Sequence, residues 1–173
     1  MRGSASIGPV HECRKIGLEF FETAPFRLEA SVEVDATPGR VFDIFEDADA
    51  WTVWVPPIKH VEWTSPKPFG VGTTRTVTMS GGLLAEEEFI AWERGRRMAF
   101  YFRRASQKNL LAFGEDYQVT DLGGGRSRVT WRVAMEVGGV NRLLMPVTGP
   151  LVRVGLRWML GRLRRYIQRT GAP

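Results

Sequence analysis

The segment VNRLLMPVTGPLVRVGLRWMLGRLRRYIQR, residues 140–169, decides how the rest of the chain must be arranged. At about 100° per residue, Val140, Leu144, Val147, Leu151, Val154 and Trp158 fall on one side of a helix. Val152, Leu156, Met159, Leu160, Leu163 and Ile167 fall roughly opposite. A helix lying on a surface needs one apolar stripe. Two stripes imply that it is clasped, with neighbouring strands curled around it. Between them run Arg153, Arg157 and Arg164, the only line on this helix that clearly requires water. Pro146 either kinks the helix, or Thr148 and Pro150 serve as N-cap and first residue of a second, straighter piece.

The residues before it supply the strands. Over 26–35, Phe26, Leu28, Ala30, Val32 and Val34 alternate with Arg27, Glu29, Ser31, Glu33 and Asp35, a strand with one wet face. Thr37 then reads as an N-cap and Pro38 as the first residue of a short helix ending near Glu46, with Val41, Phe42, Ile44 and Phe45 on its apolar side. Trp51 and Trp54, three apart and stopped by Pro56-Pro57, belong to a second short helix and form a lid or wedge. Strands follow over 58–65, 73–80, 83–93, 96–104, 110–122 and 127–137. The last is the cleanest, with Val129, Trp131, Val133, Met135 and Val137 alternating with polar residues. Gly81-Gly82 suits a two-residue hairpin loop. Residues 1–24 lack a clear period and read as an N-terminal arm with a short packed turn near 16–21; residues 25–170 read as one domain. Consecutive hairpins make an antiparallel sheet, and one long helix after it covers the concave face, which makes the fold α+β.

Composition narrows the function classes. With 173 residues, a net charge of +5 and a pI near 9.9, the chain is basic. Its arginines, however, are scattered among Glu and Asp on the strands, and no nucleic-acid motif accompanies them, so no nucleic-acid partner is expected. Only the last helix carries an arginine excess. Contact of that helix with an anionic membrane or a partner is a minor alternative, and a homodimer is left open. Cys13 stands alone, which suits a reducing compartment, and residues 1–10 lack the apolar core of a signal peptide. A cytoplasmic location is the expectation. His11 and His60 are far apart and away from metal-ligand spacing, and no nucleophile elbow, phosphate loop or dinucleotide fingerprint occurs. No metal and no cofactor are expected.

With a two-residue loop at Gly81-Gly82, position 79 pairs with 84, 77 with 86 and 75 with 88. If Val77 faces the interior, Arg75, Glu86, Glu88, Ile90 and Trp92 face it too. The opposite parity turns Phe89 and Ala91 inward and leaves those groups in water. A buried carboxylate beside an arginine is a structural ion pair or a ligand anchor. On the inward reading, the catalytic candidates are Glu88, Tyr101 and Arg75. Arg132 belongs to the wet face of its strand.

The series Val34-Asp35-Ala36-Thr37-Pro38 with Val41-Phe42, Trp51 and Trp54 before Pro56, Gly70-Val71-Gly72-Thr73, Ala91-Trp92-Glu93 and Val129-Thr130-Trp131 resembles the START-like superfamily, also called SRPBCC, in its polyketide cyclase/dehydrase branch. The resemblance spans residues 26–169. It implies a helix-grip fold, a curved seven-stranded antiparallel sheet around the long C-terminal helix, with two short helices after the first strand and an elongated cavity for a hydrophobic molecule. Trp51, Trp54, Val77, Glu88, Trp92, Phe100, Phe102, Tyr117, Trp131, Leu151 and Trp158 are the expected lining. Each aromatic alone also reads as plain core, but their number suits a flat or lipophilic guest. Three functions follow: a binder of a lipid- or polyketide-like molecule, a cyclase or dehydratase of the aromatase type, and a helper protein that docks through its helix.

Overall fold

The computed structural model describes residues 9–139 and 141–171, and for 141–148 the backbone alone. His11–Glu12 (β1) and Phe20–Thr23 (α1) precede Phe26–Val34 (β2), Pro38–Glu46 (α2) and Ala48–Trp54 (α3). Ile58–Trp63 (β3), Thr74–Met79 (β4), Leu83–Glu93 (β5), Arg97–Ala105 (β6), Leu110–Gly123 (β7) and Arg126–Val137 (β8) follow, and Asn141–Thr170 (α4) closes the chain. The strands form one antiparallel sheet in the order β2-β8-β7-β6-β5-β4-β3, with β1 added to β6. This is the helix-grip arrangement.

Local chemistry explains the short helices. Thr37 Oγ1 accepts from the Arg40 amide and Pro38 takes the first helical position, which turns the chain out of β2. Asp47 caps α3 by accepting from the Asp49 amide. The two helices bury Val41, Phe42, Phe45, Trp51 and Trp54. Trp51 and Trp54 are buried, which fits the wedge rather than the lid: their rings lie 4.8 Å apart, and the Trp51 indole donates to the Phe45 carbonyl at 2.8 Å. Ser127, fully buried on β8, donates to the Ala36 carbonyl at 2.7 Å and ties the start of α2 to the sheet.

The N-terminal segment packs on the other face of the sheet. Ile16, Phe20, Phe21 and Ala24 form a second apolar cluster with Ala91, Ala99, Tyr101, Ala112 and Ala134. Gly114 lets it sit close, because a Cβ there would come within 2.6 Å of Ile16 Cδ1. At the far end of the sheet, Cys13 N donates to Arg103 O and Arg14 N to Leu111 O, both at 2.8 Å, so the segment bridges the gap between β6 and β7.

Two expectations are corrected. The connection from β4 to β5 is a single 3-10 turn, Ser80–Gly82, so Met79 pairs with Leu83, Val77 with Ala85 and Arg75 with Glu87. That one-residue shift sends Glu87 inward and moves Glu86 and Glu88 to the outer face. A register shift between Phe89 and Ala91 then reverses parity again, so Phe89 and Trp92 both join the inner cluster while Ala91 joins the outer one.

The second correction concerns α4, which is one helix over Asn141–Thr170 rather than two pieces. Only one of its stripes is covered. Leu156, Leu160, Leu163 and Ile167 are buried against the sheet, whereas Leu151 is 73 %, Val154 62 % and Trp158 52 % exposed. A sheet has one concave face, and it reaches one side of the rod. The Val140 position and the side chains of Leu144, Pro146, Val147 and Thr148 lie outside the described residues. The two faces should respond differently to truncation. Leu160→Ala should cost about 2–5 kcal/mol in urea denaturation, and Leu151→Ser under about 0.5 kcal/mol.

Candidate functional site

Inward-facing positions on four strands and one short helix converge under α4. Arg75 and Glu87 are direct cross-strand partners, so they share the inner face of β4 and β5. Glu115 and Tyr117 stand two residues apart on β7 and therefore point the same way. Trp51 of α3 and Trp131 of β8 complete the group.

Arg75 Nε donates to Glu87 Oε2 at 2.5 Å, with both side chains withdrawn from solvent. The guanidinium carbon also lies 4.3 Å from the Trp51 ring centroid and 4.8 Å from that of Phe100, so aromatic faces supply much of its surroundings. Its Nη1 is buried with no hydrogen-bond partner among the described residues. The Tyr117 hydroxyl donates to Glu115 Oε2 at 2.6 Å. The Trp131 indole N–H faces the same carboxyl without completing a hydrogen bond.

Burial raises the Glu115 carboxyl to about 8. The Tyr117 hydrogen bond pulls it down, the neighbouring Glu87 pushes it up and Arg75 pulls it down again. Burial likewise pushes Glu87 up, against the pull of Arg75. Tyr117 is held well above the ordinary phenol range by burial and by the carboxylate charge of Glu115. Near neutrality Glu115 is therefore a neutral carboxyl with an O–H to give, next to an arginine with an unused N–H.

These groups form the polar end of a cavity of about 200 Å³ whose other walls are apolar: Val55, Ile58, Val77, Phe113, Val133 and Met135, with Val152, Leu156 and Met159 from α4. A second hollow of about 560 Å³ adjoins it beside Gln107, Lys108, Asn109 and Leu110, and shares Met79, Phe102, Phe113, Glu115 and Met135. Glu115 thus stands between the two.

Of the residues anticipated from sequence, Arg75, Trp51, Val77, Phe100, Phe102, Tyr117 and Trp131 line this cavity. Trp54 packs behind it, against Trp51, Tyr117 and Trp131. Trp92 sits in a separate aromatic group with Phe42, Trp63, Phe69 and Phe89. Glu88 and Tyr101 are on the outer face, where the Tyr101 hydroxyl donates to Glu88 at 3.3 Å beneath the N-terminal segment, so the geometry removes both from the interior. Leu151 and Trp158 point outward. Arg132 also lies on the outer face, as the alternation around Trp131 indicates, and meets Asp116, Glu22 and Glu29 there.

Glu87 and Glu115 were missed. Glu87 was hidden by the length of the hairpin turn. Glu115 had a signal: it lies two residues before Tyr117, so any inward placement of Tyr117 carries Glu115 inward as well.

Comparisons with known proteins agree with this architecture. A family described as "Polyketide cyclase / dehydrase and lipid transport" matches residues 25–168. Uncharacterized proteins of Mycobacterium tuberculosis and Mycobacterium bovis are 44% identical over 157 residues, covering 91% of this chain and 93% of theirs. A START superfamily protein from Mycobacterium smegmatis superposes with a TM-score of 0.67 at 16% identity, covering 84% of this chain and 99% of its own. A Thermus thermophilus protein gives a TM-score of 0.68 at 16% identity, over 85% of this chain and 100% of that one. The di-domain ARO/CYC BexL, from the BE-7585A biosynthetic pathway, gives 0.66 at 14% identity, over 81% of this chain and 45% of its own.

Two tests follow from the charges. A carboxyl with a raised folded value stays protonated when the unfolded chain has already lost its proton. Stability should therefore fall as pH rises from about 4.5 toward 8 and level off above, and Glu115→Gln should flatten that slope in urea titrations at each pH. Glu87 shares the direction, so part of the slope should remain. Arg75→Leu should cost about 3–5 kcal/mol by stranding Glu87, and Arg75→Leu with Glu87→Leu should cost less than Arg75→Leu alone in the same denaturation assay.

Proposed function

Because the chain belongs to the polyketide cyclase / dehydrase and lipid transport family, a family of ligand-binding folds, we propose that its cavity holds a small hydrophobic molecule with one oxygen-bearing end. One observation carries this reading: an apolar chamber under α4 that is polar only where Arg75, Glu87, Glu115 and Tyr117 meet. Apolar walls reward the removal of a hydrocarbon or aromatic body from water. The polar end fixes orientation, because the Arg75 Nη1 and the neutral Glu115 carboxyl both have a donor to offer a ligand oxygen. The Arg75 and Glu87 charges cancel, so a neutral carbonyl or hydroxyl fits this end better than a second carboxylate.

The Glu115–Tyr117 pair supports a second reading, proton transfer on a carbonyl-bearing chain of polyketide type. A carboxyl titrating near 8 can take a proton from the carbon next to a ketone in its ionised form and return it to the new alkoxide after ring closure. Arg75 would stabilise the intervening enolate.

Organic extraction of the purified protein followed by mass spectrometry separates the two, since a binder returns its guest unaltered. The fluorescent probe N-phenyl-1-naphthylamine should bind the parent, and Met159→Trp, which adds bulk at the α4 wall, should weaken it at least tenfold. Glu115→Gln should leave probe binding within about threefold, because the probe lacks an oxygen. The same variant should abolish turnover of a poly-β-ketone chain if the second reading holds.

A further inference from the structure

The outward side of α4 is unusual for a protein surface in water. Leu151, Val154 and Trp158 follow one another at helical spacing, and all three are more than half exposed. Val53 of α3 extends the patch. Its carbonyl accepts from Arg162 Nη2 at 2.5 Å, and that guanidinium also lies 5.3 Å over the Trp158 ring.

Charge says what can cover this patch. The 30 residues of α4 contain seven arginines and no acidic residue, whereas the rest of the chain has 17 basic against 19 acidic residues and is net negative. Arg153, Arg157 and Arg164 run exposed along one flank of the apolar stripe, and Arg165 and Arg169 continue beyond it. Among the described residues no α4 arginine is in an ion pair, in a fold where most other arginines are. A second copy of this helix would bring arginine against arginine. A nucleic acid would use the arginines but leave Leu151 and Val154 in water. An anionic lipid surface satisfies both features, with phosphates for the guanidinium groups and an acyl boundary for the apolar side chains.

We propose that the outward face of α4 docks on an anionic phospholipid bilayer, with Leu151, Val154 and Trp158 entering the interface and Arg153, Arg157 and Arg164 on the headgroups. No helix among the described residues is long and apolar enough to cross a membrane, so this contact lies flat on the surface. The same turns of helix present Val152, Leu156 and Met159 to the cavity on their inner side. Docking therefore sets the cavity's helical wall against the lipid, where a hydrophobic molecule can enter or leave without crossing water. The surface contact does not depend on what the cavity holds.

The test is co-sedimentation of the full chain with vesicles of phosphatidylglycerol and phosphatidylcholine, or phosphatidylcholine alone, at low and high salt. Expected is binding to the anionic vesicles, at least tenfold weaker on the neutral ones and weakened by salt. Leu151→Ser with Val154→Ser and Trp158→Ser should abolish it, as should Arg153→Glu with Arg157→Glu and Arg164→Glu. Both sets should keep the parent's circular dichroism and its naphthylamine binding, which separates loss of docking from loss of the fold or of the cavity. The proposal is overturned if the parent stays in the supernatant with anionic vesicles, or if either set of variants binds them as the parent does. It is also overturned if the parent is a dimer in solution that Trp158→Ser dissociates, which would give this face to a second copy.

Discussion

The structure depends on a geometrical limit: a curved sheet has one concave face, and a single helix laid into it is covered on one side. Leu156, Leu160, Leu163 and Ile167 fill that contact and bring α4 against β2, β8 and α3. Everything else is arranged around it. α2 and α3 close one end with Phe42, Phe45, Trp51 and Trp54, and the N-terminal segment covers part of the opposite face of the sheet. The space that the helix and the strands leave between them is the cavity.

That cavity concentrates the cost of the fold in one place. Two carboxyls, a guanidinium and a phenol are held among aromatic rings, and each would be unfavourable there alone. The arrangement works because charges are matched or suppressed: Arg75 answers Glu87, and burial keeps a proton on Glu115 that Tyr117 helps to orient. Other ion pairs, such as Arg97 on β6 with Asp116 on β7 and Arg132 on β8 with Glu29 on β2, join neighbouring strands on the outer face. The inner group borders the cavity under α4.

Much of the architecture was legible. Thr37 and Pro38 marked the start of α2, the alternation in 26–34 and 127–137 marked the paired strands β2 and β8, and the residues resembling the START-like superfamily pointed to the right sheet. What failed was parity. Gly81-Gly82 signals a turn, but whether that turn has two residues or three is set by tertiary fit, and one residue exchanges Glu88 for Glu87. The register shift near Ile90 is equally silent in the sequence. Periodicity also found both stripes of α4, yet it reports only that residues are apolar, not whether a partner reaches them. Leu151 and Trp158 were placed inside for that reason.

The pairing of β2 with β8 has a consequence for how the molecule comes into being. Phe26 sits opposite Met135 and Val34 opposite Ser127, so the longest early strand waits for one made about a hundred residues later. During synthesis β2 exists as an unsatisfied edge until nearly the entire sheet has emerged, and the rod that fills the groove arrives last of all. Such a chain gains little from folding piecemeal: it closes late, over long loops, in something close to a single event.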